Sequence, residues 1–242
     1  MIFVKRLSKR QLLLKKDSLF WGRVLYKLAI GQFKHVPKSS ILELLKYVKK
    51  GEAIVFLIHN NNKVVGFAGI LIRSVIIKNK KVFYFALDVA CLKSDYQRRG
   101  IISKLTMKIL LFERFLNYKH FSKPLYAAAF CMVPDSFVML DFPNILPREG
   151  KVTLSEKLIY EKIVRDHCRE FNLKYPGYGK PIYFSTWIPR KANLRFDKNN
   201  LCAKYFFDHN PLWRKGYGLP IVFPVDLKSG MFVLKILISR FI

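Results

Sequence analysis

Gln97-Arg98-Arg99-Gly100 is the stretch of this chain whose residue types and spacing best suggest chemistry. Two guanidinium groups beside a glycine, immediately before an apolar-periodic segment, describe a turn that opens a helix. The first N–H groups of a helix have no partner inside it, and the helix dipole adds partial positive charge there. Backbone donors, dipole and arginines together suit a phosphate. Upstream, residues 82–92 form an apolar, β-branched and aromatic run. The turn therefore connects a buried strand to a helix.

Within that strand Asp88 is the single acid. Side chains alternate along a strand, so Tyr84, Ala86, Asp88 and Ala90 share one face. A carboxylate among apolar neighbours has a raised pKa, which suits a general base working near neutral pH. The competing reading is a structural aspartate satisfied by a backbone or arginine partner. His59, His120 and His209 fall near expected element ends, where capping or solvated histidines are common.

The elements that must position these groups follow from periodicity. Residues 1–9 read as a first strand and 9–28 as a basic amphipathic helix, ended by Gly31 and Pro37. A second helix starts after Pro37, capped by Ser39 or Ser40, with Ile41, Leu44, Leu45 and Val48 on one face. Residues 53–59 and 64–77 read as strands joined at Asn60-Asn61-Asn62. The 82–92 strand comes next, then a helix over 101–117 and a buried strand over 125–132. Pro134-Asp135-Ser136 caps a short helix over 137–142. Beyond Gly150, a helix over 154–173 capped by Ser155 is expected, then strands over 182–188 and 219–225, with a helix over 199–209 between them.

Composition bounds the function. The chain has 242 residues, 51% hydrophobic and 15% aromatic, enough for a packed core and against disorder. Lys and Arg number 44 against 16 Asp and Glu, a formal charge of +28. Such a charge favours polyanionic partners: nucleic acid, an anionic membrane or an acidic protein. The four cysteines (Cys91, Cys131, Cys168 and Cys202) show no metal-ligand spacing, so no metal is expected. Free thiols and the lack of a signal-peptide pattern point to a cytoplasmic protein. No apolar run reaches the length of a membrane span. Trp187, Pro189, Arg190, Lys191 and Arg195, then His209, Trp213, Arg214, Lys215 and Tyr217, interleave rings with cations. That pattern fits either nucleic-acid stacking or loops that pack their aromatics inward.

The strand, the turn Gln97–Ile102 with Asp95-Tyr96 before it, and the helix after it resemble the acyl-CoA-binding motif of the GCN5-related N-acetyltransferase superfamily. The order β-α-α-β-β-β-α-β-α over residues 1–150 is similar to that superfamily's core. The resemblance implies an α/β (α+β) fold: a mixed, mostly antiparallel central sheet flanked by helices, with a C-terminal extension. We expect one domain over 1–242, with the core motifs in 1–150 and a helical insertion plus closing strands in 151–242.

The same resemblance implies that Leu92, Lys93 and Ser94 face the pantetheine arm, as a strand bulge. Gln97, Arg98, Arg99, Gly100, Ile101, Ile102 and Ser103 would hold the pyrophosphate, and Ser136 would bond the cofactor. The co-substrate would be acetyl-CoA or another acyl-CoA, and the reaction direct transfer of an acetyl or short acyl group to an amine acceptor. Asp88 is then the candidate base. Ala86 stands where some members carry a glutamate, and Ile102 stands where a small residue is usual. The tyrosine that many members use as the acid is absent from residues 134–147, leaving Tyr205, Tyr217 or water. The alternative is a catalytically degenerate binding protein for nucleic acid or another polyanion. A membrane-surface acyltransferase using residues 230–242 as its lipid contact is a further reading.

Overall fold

The computed structural model describes residues 1–97, 101, 102, 105, 124–134, 136, 145–147, 152–190, 200–226 and 231. Arg98, Arg99, Gly100, Ser103 and His120, most of the expected 101–117 helix, all of the expected 137–142 helix, and residues 232–242 lie outside them. The fold is α/β, with a mostly antiparallel sheet flanked by helices. The chain divides into two compact units that interleave in sequence.

The first unit comprises Met1–Ile72, Leu87–Ile102 and Ser185–Ala192. It contains β1 (Ile2–Arg6), α1 (Lys15–Ile30), β2 (Phe33–Lys34), α2 (Lys38–Lys50), β3 (Ala53–Asn60) and most of β4 (Lys63–Ile77). β3 pairs antiparallel with β1 on one side and with β4 on the other. Asn61, with φ of 51°, makes the tight turn between β3 and β4, a backbone region asparagine tolerates. α2 covers β3 with Ile41, Leu44, Leu45 and Val48, all buried as their helical spacing requires.

Two expectations about helix starts are corrected. The helix expected from residue 9 begins at Lys15, after a separate 3-10 turn over Arg10–Leu12. The break falls at Leu14, whose extended backbone (φ −82°, ψ 142°) separates the 3-10 turn from α1. At α2 neither Ser39 nor Ser40 is the cap: Pro37 precedes the helix, and both serines lie within it. The fixed φ of proline sets the entry without a side-chain bond.

The second unit comprises Arg73–Ala86, Ser103–Phe184 and Asn193–Ile242. The strand β5 (Lys80–Leu92) starts in it and ends in the first unit. Lys78 and Asn79 both have positive φ, forming the hairpin turn between β4 and β5. Within this unit β6 (Leu125–Cys131), β7 (Ile182–Tyr183) and β9 (Tyr217–Pro224) lie in the order β6-β9-β7, all antiparallel. The remaining strand, β8 (Ile188–Pro189), belongs to the first unit and pairs with β2. The expected 182–188 strand is thus two short pieces, because Trp187 takes φ of 59° and breaks the extended run.

α3 (Leu154–Glu170) packs on β9, where the Tyr160 hydroxyl donates to the Pro220 carbonyl at 3.1 Å. Its cap is Thr153, not Ser155. Thr153 and Glu156 exchange hydrogen bonds in a reciprocal capping box. α4 (Leu201–His209) starts at Asn200, whose side chain accepts from the Ala203 N–H at 3.0 Å.

Candidate functional site

In the first unit β5 terminates at Leu92 and a 3-10 turn over Ser94–Tyr96 follows. Helical backbone resumes at Ile101 and Ile102, both half-buried, and Leu105 is buried. The Gln97–Gly100 segment therefore joins a strand end to a helical segment. This is the local order that leaves N–H groups free at a helix start.

The turn is held from three sides. The Lys93 N–H donates to the Val65 carbonyl at 2.9 Å. The Asn60 amide donates to the Tyr96 hydroxyl at 2.8 Å. Gln97 donates from Nε2 to the Leu92 carbonyl at 2.8 Å and to the Gln32 side-chain oxygen. Gln97 thus acts as a brace, with both amide hydrogens engaged. Lys93 is likewise committed through its N–H, so that group is not free to polarise a carbonyl. Ser94 is exposed and its hydroxyl donates to Asp95 at 3.2 Å.

A glycine makes this close approach possible. A Cβ on Gly66 of β4 would stand 2.5 Å from the Cys91 carbonyl oxygen and 3.1 Å from the Leu92 Cα. Only a residue without a side chain lets β4 come so near the end of β5. Beside it, the register of β3 against β4 slips at Ile58/His59, so Val65 is the extra residue of a bulge.

Along β5, Tyr84 and Ala86 are buried, Asp88 and Ala90 are exposed, and Leu92 is buried again. The strand's alternating face therefore opens at Asp88. The apolar setting expected for this carboxylate is not what surrounds it: the side chain is exposed. The neighbouring Cys91 thiol is buried, and burial plus the Asp88 charge push its pKa up. It remains a protonated, inert packing group.

The other candidates lie in the second unit. Ser136 is half-buried and its N–H donates to the Val133 carbonyl at 3.0 Å. Tyr205, on α4, is half-buried and stacks on His209 with ring centroids 3.8 Å apart. His59 stacks on Phe3 at 4.9 Å, and burial followed by the Lys5 charge lowers its pKa.

Of the interleaved residues that are described, the rings are buried or half-buried, whereas Arg190, Arg214 and Lys215 are exposed. Trp187 meets Phe33 edge-on at 5.6 Å. Arg190 donates from Nε to the Ile30 and Phe33 carbonyls at 2.9 and 3.1 Å, satisfying the end of α1. Trp213 is buried near Phe207. Gln32 and Arg190 were not legible as site-supporting residues, because their partners lie far away in sequence. Among the described residues there is no His, Cys, Asp or Glu group able to hold a metal, and no helix long and apolar enough to cross a membrane.

No family model matches the chain, and no curated protein matches it. Solved structures do resemble part of it. One is a conserved protein from Enterococcus faecalis V583 described as a "probable N-acyltransferase". It is 10% identical, with a TM-score of 0.42 over 59% of this chain and 32% of that one. A GCN5-related N-acetyltransferase from Kribbella flavida is 16% identical, with a TM-score of 0.39 over 54% and 30%. A ribosomal-protein-alanine N-acetyltransferase from Brucella melitensis biovar Abortus 2308 is 15% identical, with a TM-score of 0.36 over 53% and 81%. The chain spans about a third of the first two. Likeness at this level assigns no activity.

Proposed function

We propose that this protein is an acyl-CoA-dependent N-acyltransferase that moves an acetyl or short acyl group directly from CoA to an amine. The observation that carries the reading is the braced path from the end of β5 at Leu92 to Gln97, with helical backbone again at Ile101 and Ile102. Such a path offers main-chain donors and two guanidinium groups to a pyrophosphate. Gln97 acts by holding the turn, and Arg98 and Arg99 supply countercharge.

Asp88 would take the amine proton, directly or through water, as nitrogen attacks the thioester carbonyl. The C–N bond forms, the C–S bond breaks, and CoA leaves as the thiolate, which then takes a proton. An exposed Asp88 suits an acceptor that arrives from solvent. Water would return the proton to sulfur. No metal takes part in this scheme. A formal charge of +28 makes a polyanionic acceptor, such as a charged tRNA or an acidic protein, a better match than a polyamine. The bulky Ile102, standing where a small residue is usual, is the feature that favours the alternative, a non-catalytic polyanion binder.

Calorimetric titration of acetyl-CoA into the wild type and into Gly100→Trp, both checked for folding by circular dichroism, tests the reading. Binding by the wild type that the tryptophan weakens more than about tenfold supports it. A folded wild type that binds no acyl-CoA rejects it and leaves polyanion binding as the account of the charge.

A further inference from the structure

The outer face of α1 is unlike an ordinary solvated helix surface. Lys15, Lys16, Leu19, Phe20, Arg23, Lys27 and Ile30 are all exposed, and on a helix they fall within one continuous arc. Leu13 and Leu14, just before the helix, are exposed as well, with 74% and 55% of their surface in water, and Phe20 has 58%. The helix cannot roll to hide them. Its opposite side carries the buried Leu25, Leu28 and Ala29, and Gly22 lies against Leu42 of α2 at a spacing that leaves little room for a Cβ.

Charge is as one-sided as the apolar exposure. Residues 1–30 contain eight lysines and arginines, and Asp17 is the sole acid. We propose that this face of α1, with Leu13 and Leu14, docks on an anionic phospholipid surface. Aliphatic side chains standing among cations match the boundary between headgroups and acyl chains. There leucine and phenylalanine leave water while lysine stems reach back to phosphate. A nucleic acid would satisfy the cations but leave the leucines wet. The helix lies on the bilayer and does not enter it: four cations on the exposed arc keep it at the interface.

The test is flotation of the intact protein with vesicles at physiological salt. One set is phosphatidylcholine alone, and the other has phosphatidylserine as about a third of the lipid. Binding is expected to the anionic set only. Leu14→Ser with Phe20→Ser should weaken it at least about tenfold, since each residue loses the gain from apolar burial. Lys15→Ala with Lys16→Ala should weaken it by roughly 10- to 30-fold. Because all four side chains are exposed, the thermal unfolding midpoint should hold steady in each variant. A wild type that does not float overturns the proposal. So does undiminished binding by the serine pair, which would reduce the effect to net charge. Binding of duplex DNA that the serine pair weakens would assign the face to nucleic acid and overturn it equally.

Discussion

The turn after β5 and the C-terminal half of α3 both gather polar groups, but they hold them by different means. Around the turn the bonds are neutral: Gln97 to Leu92 and Gln32, Lys93 N–H to Val65, Asn60 to Tyr96. Around α3 each bond has a charged partner and is partly buried. Arg73 donates from Nε to both Glu170 oxygens at 3.0 and 2.9 Å, and Tyr84 donates to Asp166 at 2.8 Å. His167 is sealed between Phe130 and Phe171, with Nδ1 unpartnered among the described residues. Neutral bonds hold the turn whatever the pH or salt. Buried charges hold α3 only while every partner is present and correctly ionised.

The largest effect should come from splitting the buried pair. Glu170→Ala leaves the Arg73 guanidinium, with only about a seventh of its side chain exposed, without its carboxylate. The expected cost is about 3 kcal/mol, read from urea unfolding. Replacing both residues by methionine should cost much less, because no charge is then stranded. Equal losses in the single and double variants would show that the pair does not act as a unit.

Gly66→Ala strikes the neutral region instead. The new Cβ would meet backbone at Cys91 and Leu92, which cannot swing aside as a side-chain tip can. About 2 kcal/mol of destabilisation is expected. Acyl-CoA binding should fall as well, since the displaced strand end is where the turn begins. Lost stability with intact binding would separate the β4 contact from the site.

Acid should distinguish the regions further. Burial, reinforced by the Arg73 charge, lowers the pKa of His167 from 6.5 to about 3. Below pH 6.5 the unfolded chain binds the proton and the folded chain does not. His167 therefore contributes stability that is complete above pH 6.5 and drains away as the pH falls toward 3. Between pH 7 and pH 5 the loss should be about 2 kcal/mol. His167→Phe should flatten that slope in urea titrations. An unchanged slope would place the acid sensitivity elsewhere.

Sequence patterning reached the elements better than the bonds that finish them. Ile41, Leu44, Leu45 and Val48 were legible because a buried helix face repeats every three to four residues. The strand that ends at Leu92 was legible for a similar reason, since the apolar run over 82–92 gives way there to polar residues. Ser155 drew attention as a cap, yet Thr153 holds that place, because a threonine with glutamate three residues on satisfies two donors at once. The 182–188 strand failed at Trp187, whose positive φ depends on packing against Phe33 and not on its neighbours in sequence. Asp88 was found as the strand's only acid, but its exposure follows from what covers each face, which one strand's sequence does not encode. Gln32, 65 residues from Gln97, left no local trace at all.

The smallest expected effect probes the brace itself. Gln97→Met keeps length and apolar stem but removes both donors, leaving the Leu92 carbonyl and the Gln32 side chain to find water. Gln97 itself is exposed and Gln32 half-buried, so stability should drop by only about 1 kcal/mol. Affinity for acyl-CoA should drop more than stability does, by about tenfold, because a loosened turn must be ordered again on each binding event. Gln97→Glu sharpens the point. The carboxylate cannot donate to Leu92 and adds negative charge beside the arginines, so it should bind acyl-CoA more weakly than the methionine variant. If glutamate and methionine weaken binding alike, Gln97 acts through geometry alone; if neither does, the turn holds its shape without the brace.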